Sequence, residues 1–260
     1  MQYQYQIPNT LLTEYIRTVL VLDGTAAATN NKLPLFTNGM PALVCKTAKN
    51  GKGIEKVIQL SLFGKSAPAD SWEVKRGQTV IAYFFKPFTV ACIFNLSIGQ
   101  LIKAPLDLSL WDAHRINALK TQLSYAGTIA EKKEALDNLL LYQLQQQGNE
   151  CKIIHYATDR IMINPGKEVL AEIKKDLGIN ERTLQRLFKK FVGITPNQYR
   201  RICQFQLSFN QLRSGRFINL TDVAFENGFA DQSHFIRSFK EFTQTRPKEY
   251  LKSGLGGIKS

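Results

Sequence analysis

Two short stretches of the chain put hydrogen-bonding and cationic side chains at helical spacing. In ERTLQRLFKK these are Arg182, Gln185, Arg186 and Lys189; in QSHFIRSFKE they are Gln232, Ser233, His234, Arg237 and Lys240. Residues three, four and seven apart share a helix face, so each set predicts one polar face. A guanidinium fork meets two acceptors in one plane. An amide meets one donor and one acceptor, and hydroxyl and imidazole groups are more permissive. That is the chemistry of reading nucleobase edges, whereas the ammonium groups of Lys189 and Lys240 suit phosphates. The opposite faces carry Leu184, Leu187, Phe188 and Phe191, and Phe235, Phe239 and Phe242, which are expected to point inward as core. Arg200 and Arg201 open another helical run, where backbone amides also favour an anion. They are expected to meet phosphate, with a surface ion pair as the competing role.

Other chemistry finds little support. His114, His155 and His234 are scattered, with no His or Cys partner at metal spacing, and residues 1–105 hold no His. Cys45, Cys92, Cys151 and Cys203 form no CxxC and read as reduced thiols. GxSxG and HExxH are absent. FGKSAP contains Gly64-Lys65-Ser66, but a phosphate-binding loop needs a glycine where Gln59 stands, and Ala67-Pro68 follows in place of a helix. No cofactor, no metal and no enzymatic activity are expected.

The elements that position these residues fall into two rhythms. Residues 1 to about 105 read as β: TVLVL, PALVCKTA, IEKVIQLSLF, QTVIAYFF and FTVACIF, punctuated by KNGKG, APAD and Lys86-Pro87. Such spacing predicts a small barrel or sandwich. From about 107 to 148 two helical patterns follow, which either pack on the β part or offer a self-pairing face. From 149 the pattern is helical almost throughout, with Gly178, Gly193, Gly215, Gly228 and Gly254 as stops. Val223, Ala224 and Phe225 mark the fifth of its seven helices, and a long one runs from about Asn197 to Arg213. The predicted fold class is α+β: a mainly-β domain with following helices over 1–148, then an all-α domain over 149–254. MQYQYQIPNT lacks a basic start before an apolar run, and the apolar stretch from Thr79 is cut at Lys86-Pro87. A cytoplasmic protein without a membrane partner is expected.

Charge and repetition converge on the second half. Residues 151–260 carry 19 Lys and Arg against 10 Asp and Glu, a net +9, while residues 1–150 carry 15 against 11, a net +4. A field of that sign draws phosphate backbones or anionic surfaces. Shifted by 51 residues, LQRLFKKFVGITPNQY lies over FIRSFKEFTQTRPKEY with six of sixteen positions identical. Each copy reads short helix, glycine turn, capped helix, then a proline-started helix. That is the helix-turn-helix plan twice, over about 166–193 and 220–244. The seventeen-residue linking helix spans roughly 25 Å, enough to set two reading helices about one DNA turn apart.

Residues 150–252 resemble the DNA-binding region of the AraC/XylS family of bacterial transcription regulators. The resemblance runs through Gly228-Phe229, Gln232-Ser233-His234-Phe235, Arg237-Ser238-Phe239-Lys240, Phe242 and Pro247-Lys248-Glu249-Tyr250. It implies two helix-turn-helix units in successive major grooves. Arg182, Gln185, Arg186, Gln232, Ser233, His234 and Arg237 would then face bases. It further implies double-stranded DNA as partner, a small-molecule effector or a homodimer contact in the N-terminal part, and RNA polymerase for an activator. Two positions depart from the pattern. Ile173-Lys174 stands where a small Ala is usual, as in Val223-Ala224, so a loosened or outward-swung first unit is expected. Gln244 replaces a glycine that the first copy keeps as Gly193. Pro8, FFKPF and Leu106-Asp107-Leu108 are similar to a poorly characterised, cupin-like sensor type. Two rival readings are a β-barrel enzyme tethered to nucleic acid and a non-specific basic binder.

Overall fold

The structure is a computed structural model that describes residues 2–24, 40–49, 55–64, 75–96, 98–101 and 104–252. It divides into two units, residues 1–148 with 190–193, and residues 149–189 with 194–260. Lys65–Pro68 of FGKSAP, APAD and all but the first residue of KNGKG lie outside the described residues.

The first unit holds one antiparallel sheet of β1 (Gln2–Gln6), β2 (Ile16–Asp23), β3 (Ala42–Lys49), β4 (Glu55–Phe63), β5 (Gln78–Phe85) and β6 (Leu106–Asp107). Their order across the sheet is β1-β2-β5-β3-β4-β6. Side chains alternate between its faces. Val19, Val21, Leu43, Cys45, Ile81, Tyr83 and Phe85 join one buried cluster, and Leu20, Leu22, Val44, Val80, Ala82 and Phe84 join another. Burial on both faces explains why central β5 is an unbroken apolar run. The β domain expected as a barrel or sandwich is, among the described residues, this single sheet. The helices α3 (Ala113–Tyr125) and α4 (Ile129–Gln145) cover the first cluster with Leu119, Leu123, Leu136 and Leu140. Thr128 and Glu131 close a reciprocal cap at the start of α4.

One predicted strand is a helix. FTVACIF forms α1 (Thr89–Phe94), followed by α2 (Ile98–Leu101). All six residues of α1 are buried, so its sequence has no polar side to reveal a period, and strand and helix look alike. Conversely, QYQYQ alternates with a period of two and makes edge strand β1, paired from Gln2 with Asp23 to Gln6 with Val19.

Two polar anchors tie α4 to the sheet. Lys132 Nζ lies 2.5 Å from Glu55 Oε1, which also accepts from Thr47 Oγ1 at 2.5 Å, and both charged residues are buried. Burial opposes the Glu55 charge, yet the bonds from Lys132 and Thr47 prevail and hold its carboxyl below the usual range. Tyr83 donates its hydroxyl to Asp137 Oδ1 at 2.6 Å, while Lys133 Nζ reaches Asp137 Oδ2 at 2.8 Å. Burial, then the Asp137 charge, drives the Tyr83 pKa far up, so it acts only as a donor.

The second unit contains α5 (Asn149–Ile163), α6 (Val169–Leu177), α7 (Glu181–Phe191), α8 (Pro196–Ser214), α9 (Leu220–Glu226), α10 (Gln232–Thr243) and α11 (Pro247–Lys252). Pairs α6–α7 and α9–α10 fall where the two helix-turn-helix units are expected. Helix α8 opens with Pro196 inside a Thr195–Gln198 capping box, and its nineteen residues span about 28 Å. It is a wall shared by both units. Its Tyr199 ring packs 5.7 Å from Phe188 of α7. Further along, Phe205 and Phe209 pack at 5.7 and 6.1 Å from Phe239 of α10, beside buried Leu212.

The second unit's turn is locked to the segment after α5. Gly228 has φ +75°, and a Cβ there would sit 2.9 Å from Gly166 Cα and 3.2 Å from the Pro165 carbonyl oxygen. Gln204, fully buried on α8, donates to the Gly228 carbonyl at 2.6 Å. Arg200 Nη1 donates to the Pro165 carbonyl at 3.2 Å, and Gly166 N–H closes onto Asn164 Oδ1 at 3.2 Å. Three segments distant in sequence meet here, two through their backbones and α8 through side chains that bond to those backbones. At the end of α10, Gln244 adopts φ +62°, the left-handed conformation that Gly193 (φ +84°) adopts in the first unit.

Three stability changes follow and are measurable by urea unfolding of the full chain. Lys132→Met leaves Glu55 buried without its cation and costs about 3–5 kcal/mol, most of it recovered when Glu55→Gln is added. Gly228→Ala combines left-handed strain with a backbone collision and costs about 2–4 kcal/mol. Gln244→Gly relieves the same conformation with no collision and gains up to about 1 kcal/mol.

Candidate nucleic-acid interface

Helices α7 and α10 are both positioned by their apolar faces. On α7, Leu184, Leu187, Phe188 and Phe191 are buried, which leaves Arg182, Gln185, Arg186 and Lys189 exposed. Asn180 Oδ1 caps the helix by accepting from Thr183 N–H at 2.8 Å. On α10, Phe235 and Phe239 are buried, and Ser233, Arg237 and Lys240 are exposed. Gln232 and His234 are half-buried. Asp231 caps α10 by accepting from His234 N–H at 2.7 Å.

Phe242, expected to point inward, does so only in part. Phe242 is 39% exposed, because it lies flat on Phe205 at 4.5 Å at the rim of the cluster. Phe225 is 61% exposed on α9, whereas its neighbours Val223 and Ala224 are buried. A seven-residue helix buries only one narrow face, and Phe225 falls outside it.

The polar residues divide by what they already hold. Among the described residues, the side chains of Arg182, Lys189, Ser233, Arg237 and Lys240 have no hydrogen-bond or ion-pair partner. The others are engaged. Gln185 Nε2 donates to Glu181 Oε1 at 3.0 Å, and Arg186 Nη2 donates to Glu150 Oε1 at 2.8 Å. Gln232 Oε1 accepts from Thr221 Oγ1 at 3.3 Å. The His234 ring stands edge-on to Phe229 at 5.4 Å. Arg201 pairs with Glu241 at 2.5 Å. Arg200 is half-buried, and desolvation, then Arg201, lowers its pKa; its guanidinium serves the Pro165 junction.

Lys174 occupies the helix crossing where the second unit has Ala224, which is fully buried. Its ammonium leaves the crossing and meets Glu181 Oε2 at 2.7 Å, while neighbouring Ile173 stays buried. The residues missed in the sequence are therefore acids: Glu150, Glu181 and Glu241. Glu181 and Gln185 stand at i and i+4, a legible signal. Glu150 and Glu241 meet their arginines only through the fold.

Among the described residues no group of three or more His, Cys, Asp or Glu side chains is placed to hold a metal ion. No helix among them is long and apolar enough to cross a membrane. In the first unit a cleft of about 830 Å³ runs between β1, β2 and α4, lined in part by Gln4, Gln6, Asn9, Asp23, Lys133 and Glu134.

The family described as "Helix-turn-helix domain" matches residues 173–253. The "XylDLEGF operon transcriptional activator" of Pseudomonas putida is 25% identical over 145 residues, covering 54% of this chain and 44% of that protein. The "Probable transcription factor PqrA" of Proteus vulgaris is 28% identical over 105 residues, 39% of this chain and 82% of that protein. The chain thus spans less than half the length of the first of these relatives. Among solved structures, ToxT from Vibrio cholerae aligns over 97% of this chain and 98% of its own at 12% identity and a TM-score of 0.36. A probable AraC family regulator from Rhodopseudomonas palustris aligns over 39% and 96% at 21% identity and a TM-score of 0.36. The duplicated signature and the matched family model coincide on the same segment, and residues 173–253 of this chain are a helix-turn-helix domain.

Proposed function

We propose that the chain is a sequence-specific DNA-binding transcription regulator whose two helix-turn-helix units read one double helix together. The observation that carries this is the pair of solvent-facing polar stripes on α7 and α10, each with an arginine, Arg182 or Arg237, that no side chain among the described residues neutralises. Buried partners fix the helices while the stripes stay available. Arg182 and Arg237 supply guanidinium forks suited to guanine, and Gln185 an amide suited to adenine. Arg186, Gln232, Ser233 and His234 complete the base-facing set. Lys189 and Lys240, one helical turn behind, take phosphates, and Arg201 joins them by exchanging Glu241 for a phosphate. Arg200 gives part of its hydrogen bonding to the Pro165 junction, so its contribution to phosphate binding is the smallest of the four.

The N-terminal part, residues 1–148, senses an effector or mediates self-association. Its cleft between β1, β2 and α4 has the polar lining that a small hydrophilic molecule requires. Nothing in this role calls for catalysis, so the chain is read as a non-enzyme acting in the cytoplasm. Contact with RNA polymerase belongs to the case in which it activates.

Mapping of genomic fragments bound by the purified protein, followed by titration on the recovered site and on random duplex, tests the reading. The expected result is a large affinity ratio that persists as salt weakens both. On the recovered site Arg237→Ala is expected to cost about 1–3 kcal/mol, with little change on random DNA. Equal losses on both would reduce Arg237 to a phosphate contact, and a ratio near one would leave only a non-specific basic binder.

A further inference from the structure

We infer that Lys174, acting through Glu181, fixes the amide of Gln185 and so sets the adenine selectivity of the first helix-turn-helix unit. The inference rests on the proposed reading of α7 as a base-reading helix.

Three side chains form a relay across the turn between α6 and α7. Lys174 Nζ is 2.7 Å from Glu181 Oε2, and Gln185 Nε2 is 3.0 Å from Glu181 Oε1. Each carboxylate oxygen therefore has its own donor. The bond from Lys174 is the leading cause that lowers the Glu181 pKa, with burial opposing it and Gln185 adding to it. An ionised carboxylate only accepts hydrogen bonds. It can face the Gln185 NH₂ group but not the Gln185 carbonyl, so the relay removes one of the two orientations the amide could take. The orientation left keeps one N–H and the carbonyl oxygen for the groove. Those are the two groups that pair with N7 and the N6 amino group of adenine.

The relay belongs to the first unit alone. With the 51-residue shift, Lys174 falls near Ala224, Glu181 on Gln232 and Gln185 on Ile236. Gln232 instead accepts from Thr221. A lysine unexpected at a helix crossing thus gains a role as a positioning residue that touches no base itself. The rival account is a surface ion pair with no consequence for readout, since exposed pairs contribute little to stability.

The experiment selects binding sites from random duplexes with the full-length protein, then measures affinity for the best site and for the site with the adenine pair read by Gln185 replaced. Lys174→Met, Glu181→Ala, Gln185→Ala and the Lys174→Met/Gln185→Ala double variant are compared with the parent. Lys174→Met and Glu181→Ala are each expected to lower discrimination at that base pair by roughly tenfold, and the double variant to match Gln185→Ala. On random DNA the two single variants are expected to move oppositely, Lys174→Met weaker and Glu181→Ala tighter, because they remove opposite charges. Discrimination at pairs read by α10 serves as the internal control and is expected to stay unchanged. Parental discrimination in Lys174→Met overturns the inference, as does an equal fall at the α10 pairs. If the parent protein selects no consensus at all, the regulator reading fails first and this inference fails with it.

Discussion

Backbones come within van der Waals distance only where no side chain stands between them, and Gly228 meets Gly166 in that way. The contact joins the turn of the second helix-turn-helix unit to the segment leaving α5. Gln204 and Arg200 hold it from α8 by bonding carbonyl oxygens on either side. Carbonyls have few degrees of freedom, so hydrogen bonds to them transmit orientation better than contacts between long side chains do. The aim of α10 thus depends on a backbone junction, while its apolar packing comes from the aromatic cluster of Phe205, Phe209, Phe235, Phe239 and Tyr250.

Electrostatics shapes the candidate interface as much as packing does. Its net charge is strongly positive, yet Glu150, Glu181 and Glu241 stand beside Arg186, Gln185 and Arg201. In the proposed role each acid occupies a group that DNA would otherwise engage. A phosphate or base edge has to displace or accommodate it. The arginine pairs are largely exposed, so the exchange is cheap, but it penalises any surface that offers charge without matching geometry. In the proposed role Arg182 and Arg237, which face no such competitor among the described residues, make the first encounters.

Much of this arrangement was legible in the sequence. The glycine stops, the Asn180 and Asp231 caps and the 51-residue repeat placed α6 to α11 closely, because capping and helical periodicity are local properties. Strands β2 to β5 were equally visible as β-branched runs. What escaped notice was non-local or lacked a period. FTVACIF is buried on every side as α1 and so reads like a strand. Phe242 was assigned to the interior by residue type, although its place at the cluster rim leaves it half outside. The anchors Lys132–Glu55 and Tyr83–Asp137 join residues 77 and 54 positions apart, and no spacing rule announces them. The Gly228–Gly166 contact was half visible: the glycine stop was seen, the partner was not.

Helix α8 adds a consequence for how such a protein can change over time. Because it is a continuous α-helix shared by two cores, deleting or inserting one residue within it would rotate one half about its axis by about 100° and shift it by about 1.5 Å. No gentle series of lengths connects one arrangement to the next; the helix behaves as a toothed gear and not as a sliding rail. Lineages that share this architecture are therefore free to exchange the amino acids that meet a ligand, while gaps and insertions should collect in the connecting loops and spare the span from Pro196 to Ser214.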